Sequence, residues 1–321
     1  MSMLSSFRIA TPPAVAVEFS STRLAAARVE FRSGKATIAA HATEPLPDGA
    51  VVPSLMAPNI QDRPAVIGAL GRLFDRLGGR PRRIGLVIPD PVAKVSLVRF
   101  EQVPSRLQDL DQLVRWQVRK TAPFSVDAAQ LSYLRAARSS DGQDFVVSIA
   151  RRDIIEGYES VCAEVGAHAG IVDLATFNVI NAVIAGSEAP AGDWLLVNVA
   201  ADYASIAILR GEDLIFFRNR TSETDGTLVD LVHQAGMYYE DRLGGAGFGR
   251  VLLTGAAGGG SRQTAEVERI RHSLEERLGR TVEPVDPRRA AAVTDRISVA
   301  PALLDTLTPL VGLLLRGREA A

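Results

Sequence analysis

The sequence predicts an α/β protein built as two similar lobes with a cleft between them. Two observations carry that prediction. The first is a meander of apolar strands that occurs twice, as VAVEFSSTRLAAARVEFRSGKATIAAHATEPL at 15–46 and as LLVNVAADYASIAILRGEDLIFFRNR at 195–220. Each copy reads as an apolar strand, a tight polar turn, a second apolar strand, a glycine-containing hairpin (Gly34, Gly211) and a third strand, followed by helical segments. Glu18 and Asn198 hold equivalent places at the end of the first strand of each copy. The second observation is size: 321 residues, 47% of them hydrophobic, are enough for two well-packed units.

The elements follow in order. After the first meander comes a proline-rich loop at 45–64. QDRPAVIGALGRLFDRLGG then carries apolar residues at helical spacing (Val66, Ile67, Leu70, Leu73, Phe74, Leu77) and stops at Gly78-Gly79. RIGLVIP at 83–89 is a buried strand, followed by Pro91. A compact block comes next. VSLVRF at 95–100 is a strand, and SRLQDLDQLVRWQVRK at 105–120 is a helix with an apolar stripe at Leu107, Leu110, Leu113, Val114 and Val118. Ser105 is its expected N-cap, and Lys120 suits the negative end of the helix dipole. Strands at 129–137 and 144–150 are joined through Asp141-Gly142, a hairpin turn. The order strand–helix–strand–strand predicts a small α+β insert rather than another βαβ unit. An amphipathic helix at 151–166 carries Cys162, and a strand end runs into a helix at 171–186. SEAPAGD at 187–193 is the expected linker to the second meander. A helix at 223–243, a buried strand entering a glycine-rich turn at 250–260, a charged helix at 262–278, a strand at 281–285 and a C-terminal helix complete the chain. The expected boundaries are a first lobe at 1–93 and 151–187, the insert at 94–150, a second lobe at 188–299, and a closing helix at 300–321 that returns to the first lobe.

Composition narrows the function. The formal net charge of −1 lacks the basic excess of a nucleic-acid-binding domain. The single cysteine cannot form an internal disulfide, which fits a reducing compartment, and it reads as a small buried apolar residue. Residues 1–14 do not read as a signal peptide. PALLDTLTPLVGLLLRG comes nearest to a membrane span, but it is short and broken by Asp305 and Pro309, so it reads as a buried helix. The four histidines (His41, His168, His233, His272) have no metal-ligand spacing. Neither a Gly-x-Ser-x-Gly elbow nor a Gly-Lys-Ser/Thr phosphate loop is present. The arginines at 76, 80, 82 and 83 read as a solvated loop. Arg115, Arg119 and Lys120 share the insert helix with Trp116, and Phe124 follows closely.

These residues resemble the actin-like ATPase superfamily, the fold shared by actin, the Hsp70 ATPase domain and sugar kinases. Its two duplicated ribonuclease H-like lobes close on ATP. Within it the chain is similar over nearly its whole length to the PilM family. The block at 94–150 resembles that family's SHS2-type subdomain. VRWQVRKTAPFSVDAAQLSYL is similar to the segment in which a helix ends in a Pro-Phe turn, and APALLDTLTPLVGLLLR resembles the closing helix. The resemblance implies a two-lobed actin-like fold with an SHS2-type α+β insert. The second lobe is reduced, because only 221–249 separate its meander from the late strand, where a subdomain that helps grip the base usually sits.

The resemblance also implies an ATP–Mg²⁺ cleft lined by the two meander turns and the late glycine turn, and there the residues depart from the pattern. Both turns typically read Asp-x-Gly. Here they read Glu18-Phe19-Ser20, with Ser21 and Thr22 following, and Asn198-Val199-Ala200, with Ala201 following. Ser20 adds a Cβ where the chain should approach phosphate, and Asn198 lacks the charge. Leu253-Thr254-Gly255-Ala256 keeps the third element. The expectation is therefore a non-enzyme, a degenerate ATPase, with ATP or ADP and Mg²⁺ the only cofactor the fold would admit. By the same resemblance the partner is the N-terminal cytosolic peptide of a PilN-like single-span membrane protein. That peptide would lie between the first lobe and the insert, with Leu113, Trp116, Val118, Pro123 and Phe124 as wall candidates. The implied role is a cytosolic adaptor at the cytoplasmic face of the inner membrane, in a type IV pilus or related secretion platform. Two alternatives stay open: an active actin-like ATPase or small-molecule kinase, and the cytosolic portion of a GspL-like secretion component.

Overall fold

The computed structural model describes residues 13–32, 34–139, 141–186, 192–221, 227–255, 261–294 and 300–316. Most of the expected linker, together with Ala256 and the glycines at 258–260, lies outside the described residues. The first meander forms β1 (Val15–Phe19), β2 (Arg23–Arg32) and β3 (Lys35–Pro45), followed by α1 (Arg63–Arg76) and β4 (Arg83–Ile88). The insert comprises β5 (Ala93–Phe100), α2 (Leu107–Arg119), β6 (Ala129–Ser139) and β7 (Gly142–Arg151). Then come α3 (Arg152–Glu164), β8 (His168–Leu174) and α4 (Ala175–Gly186). The second meander is β9 (Asp193–Val199), β10 (Tyr203–Arg210) and β11 (Asp213–Thr221), followed by α5 (Leu228–Leu243) and β12 (Arg250–Thr254). The chain closes with α6 (Ser261–Leu278), β13 (Val282–Pro284), β14 (Ala292–Val293) and α7 (Pro301–Leu315).

Sheet topology makes the duplication explicit. One sheet runs β14-β3-β2-β1-β4-β8 and the other β11-β10-β9-β12-β13. In both, the meander is antiparallel and the next strand joins its first strand in parallel, β4 beside β1 and β12 beside β9. Each sheet is covered on both faces. Helices α1 and α3 bury Leu70, Leu73, Phe74, Tyr158 and Cys162 against the outer face of the first sheet. Helix α7 covers the opposite face with Leu307, Leu310, Val311 and Leu314. On the second sheet, α5 and α6 take one face, and α4 takes the other with Val179, Ile180 and Val183. The two facing helices, α4 and α7, therefore fill the space between the lobes. Their backbones touch: a Cβ at Gly312 would lie 1.7 Å from the Asn178 carbonyl oxygen.

The insert is a three-stranded sheet, β5-β7-β6, with α2 on one face. Strand alternation divides its residues. Phe145, Val147, Ile149, Leu131 and Tyr133 pack with Leu110, Val114 and Val118 of α2. Val146, Ser148 and Leu134 point the other way. The helix starts later than expected. Arg106, not Ser105, is the residue before its first turn, and no side chain caps it. Ser105 stands one position too early to reach the free N–H groups. A cap missed in the sequence lies at α5, where Thr227 and Asp230 form a reciprocal capping box. The two-residue β14, parallel to β3, was also not expected; it is too short to leave a pattern.

Candidate functional site

The two meander turns face each other across a cleft of 410 Å³. Its walls include Glu18, Ser20, Thr22, Asn198, Ala200, Ala201 and Gly255, with Thr254, Asp305 and Pro309 from β12 and α7. Ser21 lies at the tip of the first turn and bonds to the Asp202 carboxylate at the tip of the second. Ala256 is outside the described residues.

Three backbone donors of the first turn, the Ser20, Thr22 and Arg23 N–H groups, are already engaged. The Ser20 N–H donates to the Arg23 carbonyl at 3.0 Å. The Ser20 hydroxyl accepts from the Arg23 N–H at 3.1 Å and from the Thr22 N–H at 3.4 Å, and donates to the Arg23 carbonyl at 3.0 Å. A serine here supplies its own oxygen where a phosphate oxygen would seat. In the second turn the Ala200 N–H donates to the Tyr203 carbonyl at 2.8 Å. Asn198 donates through Nδ2 to the Thr176 hydroxyl at 2.8 Å. Gly255 has φ +86°, and a Cβ there would lie 2.2 Å from the Val199 carbonyl oxygen. Its glycine is thus required by the packing of β12 against the end of β9. Glu18 sits 3.6 Å from the Arg23 guanidinium, longer than a hydrogen bond. Burial pushes its carboxyl up, Arg23 opposes that shift, and the Asp90 charge reinforces it.

Asp90 was not anticipated from the sequence. It follows β4 in a 3-10 turn, Asp90–Val92, flanked by Pro89 and Pro91, and is fully buried. One carboxylate oxygen accepts from the Thr176 N–H at 3.0 Å. The other accepts from the Thr176 hydroxyl and, at 2.5 Å, from the Ser205 hydroxyl. Asn219 donates to Ser205 at 2.9 Å and extends the chain of bonds. A second tie crosses nearby, where the Thr254 hydroxyl donates to Asp305 of α7 at 3.1 Å. The cleft floor is thus a hydrogen-bonded seam joining the two lobes. The only local signal was an aspartate between two prolines at the end of an apolar strand.

Burial pushes the Asp90 carboxyl up, while the Ser205 and Thr176 bonds hold it down. Asp90 and Glu18 both titrate higher in the folded chain than in an unfolded one, so the folded state holds more protons between those two pKa values. Stability from these groups is therefore greatest in acid and falls as pH rises from about pH 4, the ordinary carboxyl value, through the raised values. Asp193, Asp230 and Asp286, held low chiefly by hydrogen-bonded partners, act in the opposite sense below that window. Urea midpoints compared from pH 5 to pH 8 should show a shallower decline for Asp90→Asn than for the parent chain; equal slopes would refute the assignment.

A separate groove of 270 Å³ runs between the first lobe and the insert. Its insert wall is the sheet face opposite α2, with Val146, Ser148 and Leu134; α4 supplies Phe177, Ile180 and Ile184. The hairpin between β10 and β11 closes it with Leu209 and Leu214. Asp173 and Arg316, paired at 2.6 Å, form its polar end. None of the five wall candidates from the sequence lines it. Val118 is buried between α2 and the insert sheet, with Leu113 and Phe124 packed alongside. Trp116 is 55% exposed on the outer side of α2 beneath Lys120, and Pro123 is exposed in the following turn. Alternation separates them from it: α2 occupies one face of its sheet and the groove the other.

Among the described residues, no cluster of three or more His, Cys, Asp and Glu side chains could hold a metal ion, and no helix is long and apolar enough to cross a membrane.

Known proteins resolve the family. A family model for the type IV pilus assembly protein PilM matches residues 16–243. No curated protein matches the sequence. A solved PilM–PilN type IV pilus biogenesis complex is similar with a TM-score of 0.81 at 17% identity, over 96% of this chain and 99% of that chain. A Bacteroides thetaiotaomicron protein with an actin-like ATPase fold and unknown function reaches 0.49 at 9% identity, over 86% and 91%. The cytoplasmic domain of EpsL, an inner membrane component of the type II secretion system of Vibrio cholerae, reaches 0.47 at 8% identity, over 75% and 81%. The duplicated sheets, the insert and the cleft at the strand ends are thus the fold of the solved PilM–PilN complex, and the chain belongs to the PilM family of type IV pilus assembly proteins.

Proposed function

We propose that this chain is a structural adaptor in the inner-membrane platform of a type IV pilus or a related secretion machine, working at the cytoplasmic face. Its partner is the N-terminal peptide of a PilN-like membrane protein, held in the groove between the first lobe and the insert. The observation that carries this reading is the groove itself. Its walls are mainly apolar, with a polar pair at one end (Asp173 and Arg316), and Leu134 is left 55% exposed on its rim. An apolar groove with a few polar side chains suits an extended peptide that alternates side chains into pockets. The likeness to a solved PilM–PilN complex supports the same partner.

The cleft in this reading is a joint, not an ATPase site. A triphosphate needs free N–H donors and an acidic group to hold Mg²⁺. The first turn spends three of its N–H donors on Ser20 and Arg23, Glu18 faces the Arg23 guanidinium at 3.6 Å, and Asn198 is neutral and bonded to Thr176. These residues do not fit ATP–Mg²⁺, and no catalytic step is assigned to them. Fluorescence-polarisation titration of the full chain with a labelled PilN-like N-terminal peptide should saturate with a Kd of about 1 μM, in the range expected of a short segment. The same chain should show no saturable ATP–Mg²⁺ binding by calorimetry. A folded chain that ignores the peptide refutes the adaptor, and one that turns over ATP refutes the inert cleft and favours the ATPase.

A further inference from the structure

Asp90 lies outside the groove, yet it stands where the three bodies that wall the groove meet. Its carboxylate holds the first turn of α4 through the Thr176 N–H and hydroxyl. It holds β10 of the second lobe through Ser205. Its own 3-10 turn runs directly into β5, so the insert begins at its side. From these anchors each body reaches the groove within a few residues: α4 with Phe177 and Ile180, β10 with Leu209, and the insert with Ala93. Two of the bodies that line the groove, α4 and the second lobe, are thus fastened to one buried side chain.

We propose that Asp90 is a positioning residue for peptide binding: it fixes where α4 and the β10–β11 hairpin stand relative to one another and to the start of the insert, and thereby the shape of the groove, without touching the peptide. The inference rests on the reading that the groove is the peptide site. A carboxylate suits the task because two oxygens accept from all three donors at once, each bond charge-assisted and shielded from water. Removing it leaves the Thr176 N–H buried without an acceptor, a cost α4 relieves by shifting toward other partners. Asparagine keeps one acceptor oxygen for that N–H, and the Ser205 and Thr176 hydroxyls can rotate to accept from its amide.

The test is peptide titration of the full chain and of four variants, with melting temperature measured beside affinity. Asp90→Ala should weaken peptide binding about tenfold, and Asp90→Asn should restore most of that loss. Ser205→Ala, which removes only the second-lobe tie, should weaken binding about threefold and serves if Asp90→Ala does not fold. Leu73→Ala opens the first-lobe core beneath α1, where Leu73 is fully buried and does not line the groove. It should lower the melting temperature and leave affinity unchanged, which separates positioning from general destabilisation. If the parent chain binds and both Asp90→Ala, when folded, and Ser205→Ala bind within twofold of it, the positioning role is wrong and the groove reading survives. A loss of affinity in Leu73→Ala equal to that in Asp90→Ala also overturns it. A parent chain that does not bind removes the reading itself, and the inference with it.

Discussion

Gly312→Ala should destabilise the protein by about 3 kcal/mol or more and lower its melting temperature by roughly 5 °C. The cause is a single close approach. The built Cβ would lie 1.7 Å from the Asn178 carbonyl oxygen and 3.0 Å from the Ala182 nitrogen. Both atoms are backbone of α4, so no side chain can swing away, and the helices themselves must part. Helix α7 covers the inner face of the first sheet and α4 that of the second, so parting them opens the seam between the lobes. Gly71, mid-helix in α1 with nothing within 4 Å of its built Cβ, is the matched control. Gly71→Ala should be neutral or stabilising by up to about 1 kcal/mol through helix propensity and unfolded-state entropy. Thermal and urea unfolding of the pair checks this; a Gly312→Ala melt within a degree or two of the parent would show that the helices do not pack so closely.

Leu134→Asp should cut affinity for a PilN-like peptide by about tenfold to a hundredfold while leaving the fold intact. Leu134 stands on β6, on the face turned from α2, and is 55% exposed, so its substitution disturbs no packed core. A carboxylate there removes an apolar contact and must be desolvated whenever an apolar residue covers it. Trp116→Asp is the informative companion. Trp116 is equally exposed but lies on α2, across the insert sheet from the groove. Peptide affinity should survive that change. The reverse outcome, with Trp116→Asp abolishing binding and Leu134→Asp tolerated, would move the interface to α2, which the family resemblance had offered as a wall of the groove.

That contrast marks where sequence reasoning stops. Both meanders were legible because strand alternation and glycine turns are local signals, and their matching order made the duplication legible too. The insert was legible as strand–helix–strand–strand, and the stripe Leu110, Val114, Val118 was legible as the buried side of α2. That stripe already argued against Val118 as a groove wall, but pattern does not say which face of the sheet the helix takes. The Asp90 seam was out of reach for a different reason. Its donors stand 86 and 115 positions away, and only the closed fold brings them together. Ser20 was read as an altered turn, but the use of its hydroxyl to occupy the turn's own N–H groups is visible only in three dimensions.

The lone sulfhydryl has a practical consequence. Cys162 is fully enclosed under α3, and burial pushes its thiol up to about 12, so almost none of it is thiolate at neutral pH. Maleimide and spin-label reagents will therefore pass over the native chain. A cysteine engineered at a solvent-facing position on each lobe would be the pair that reacts, and the distance between the two labels would report directly how far the lobes move when a peptide arrives.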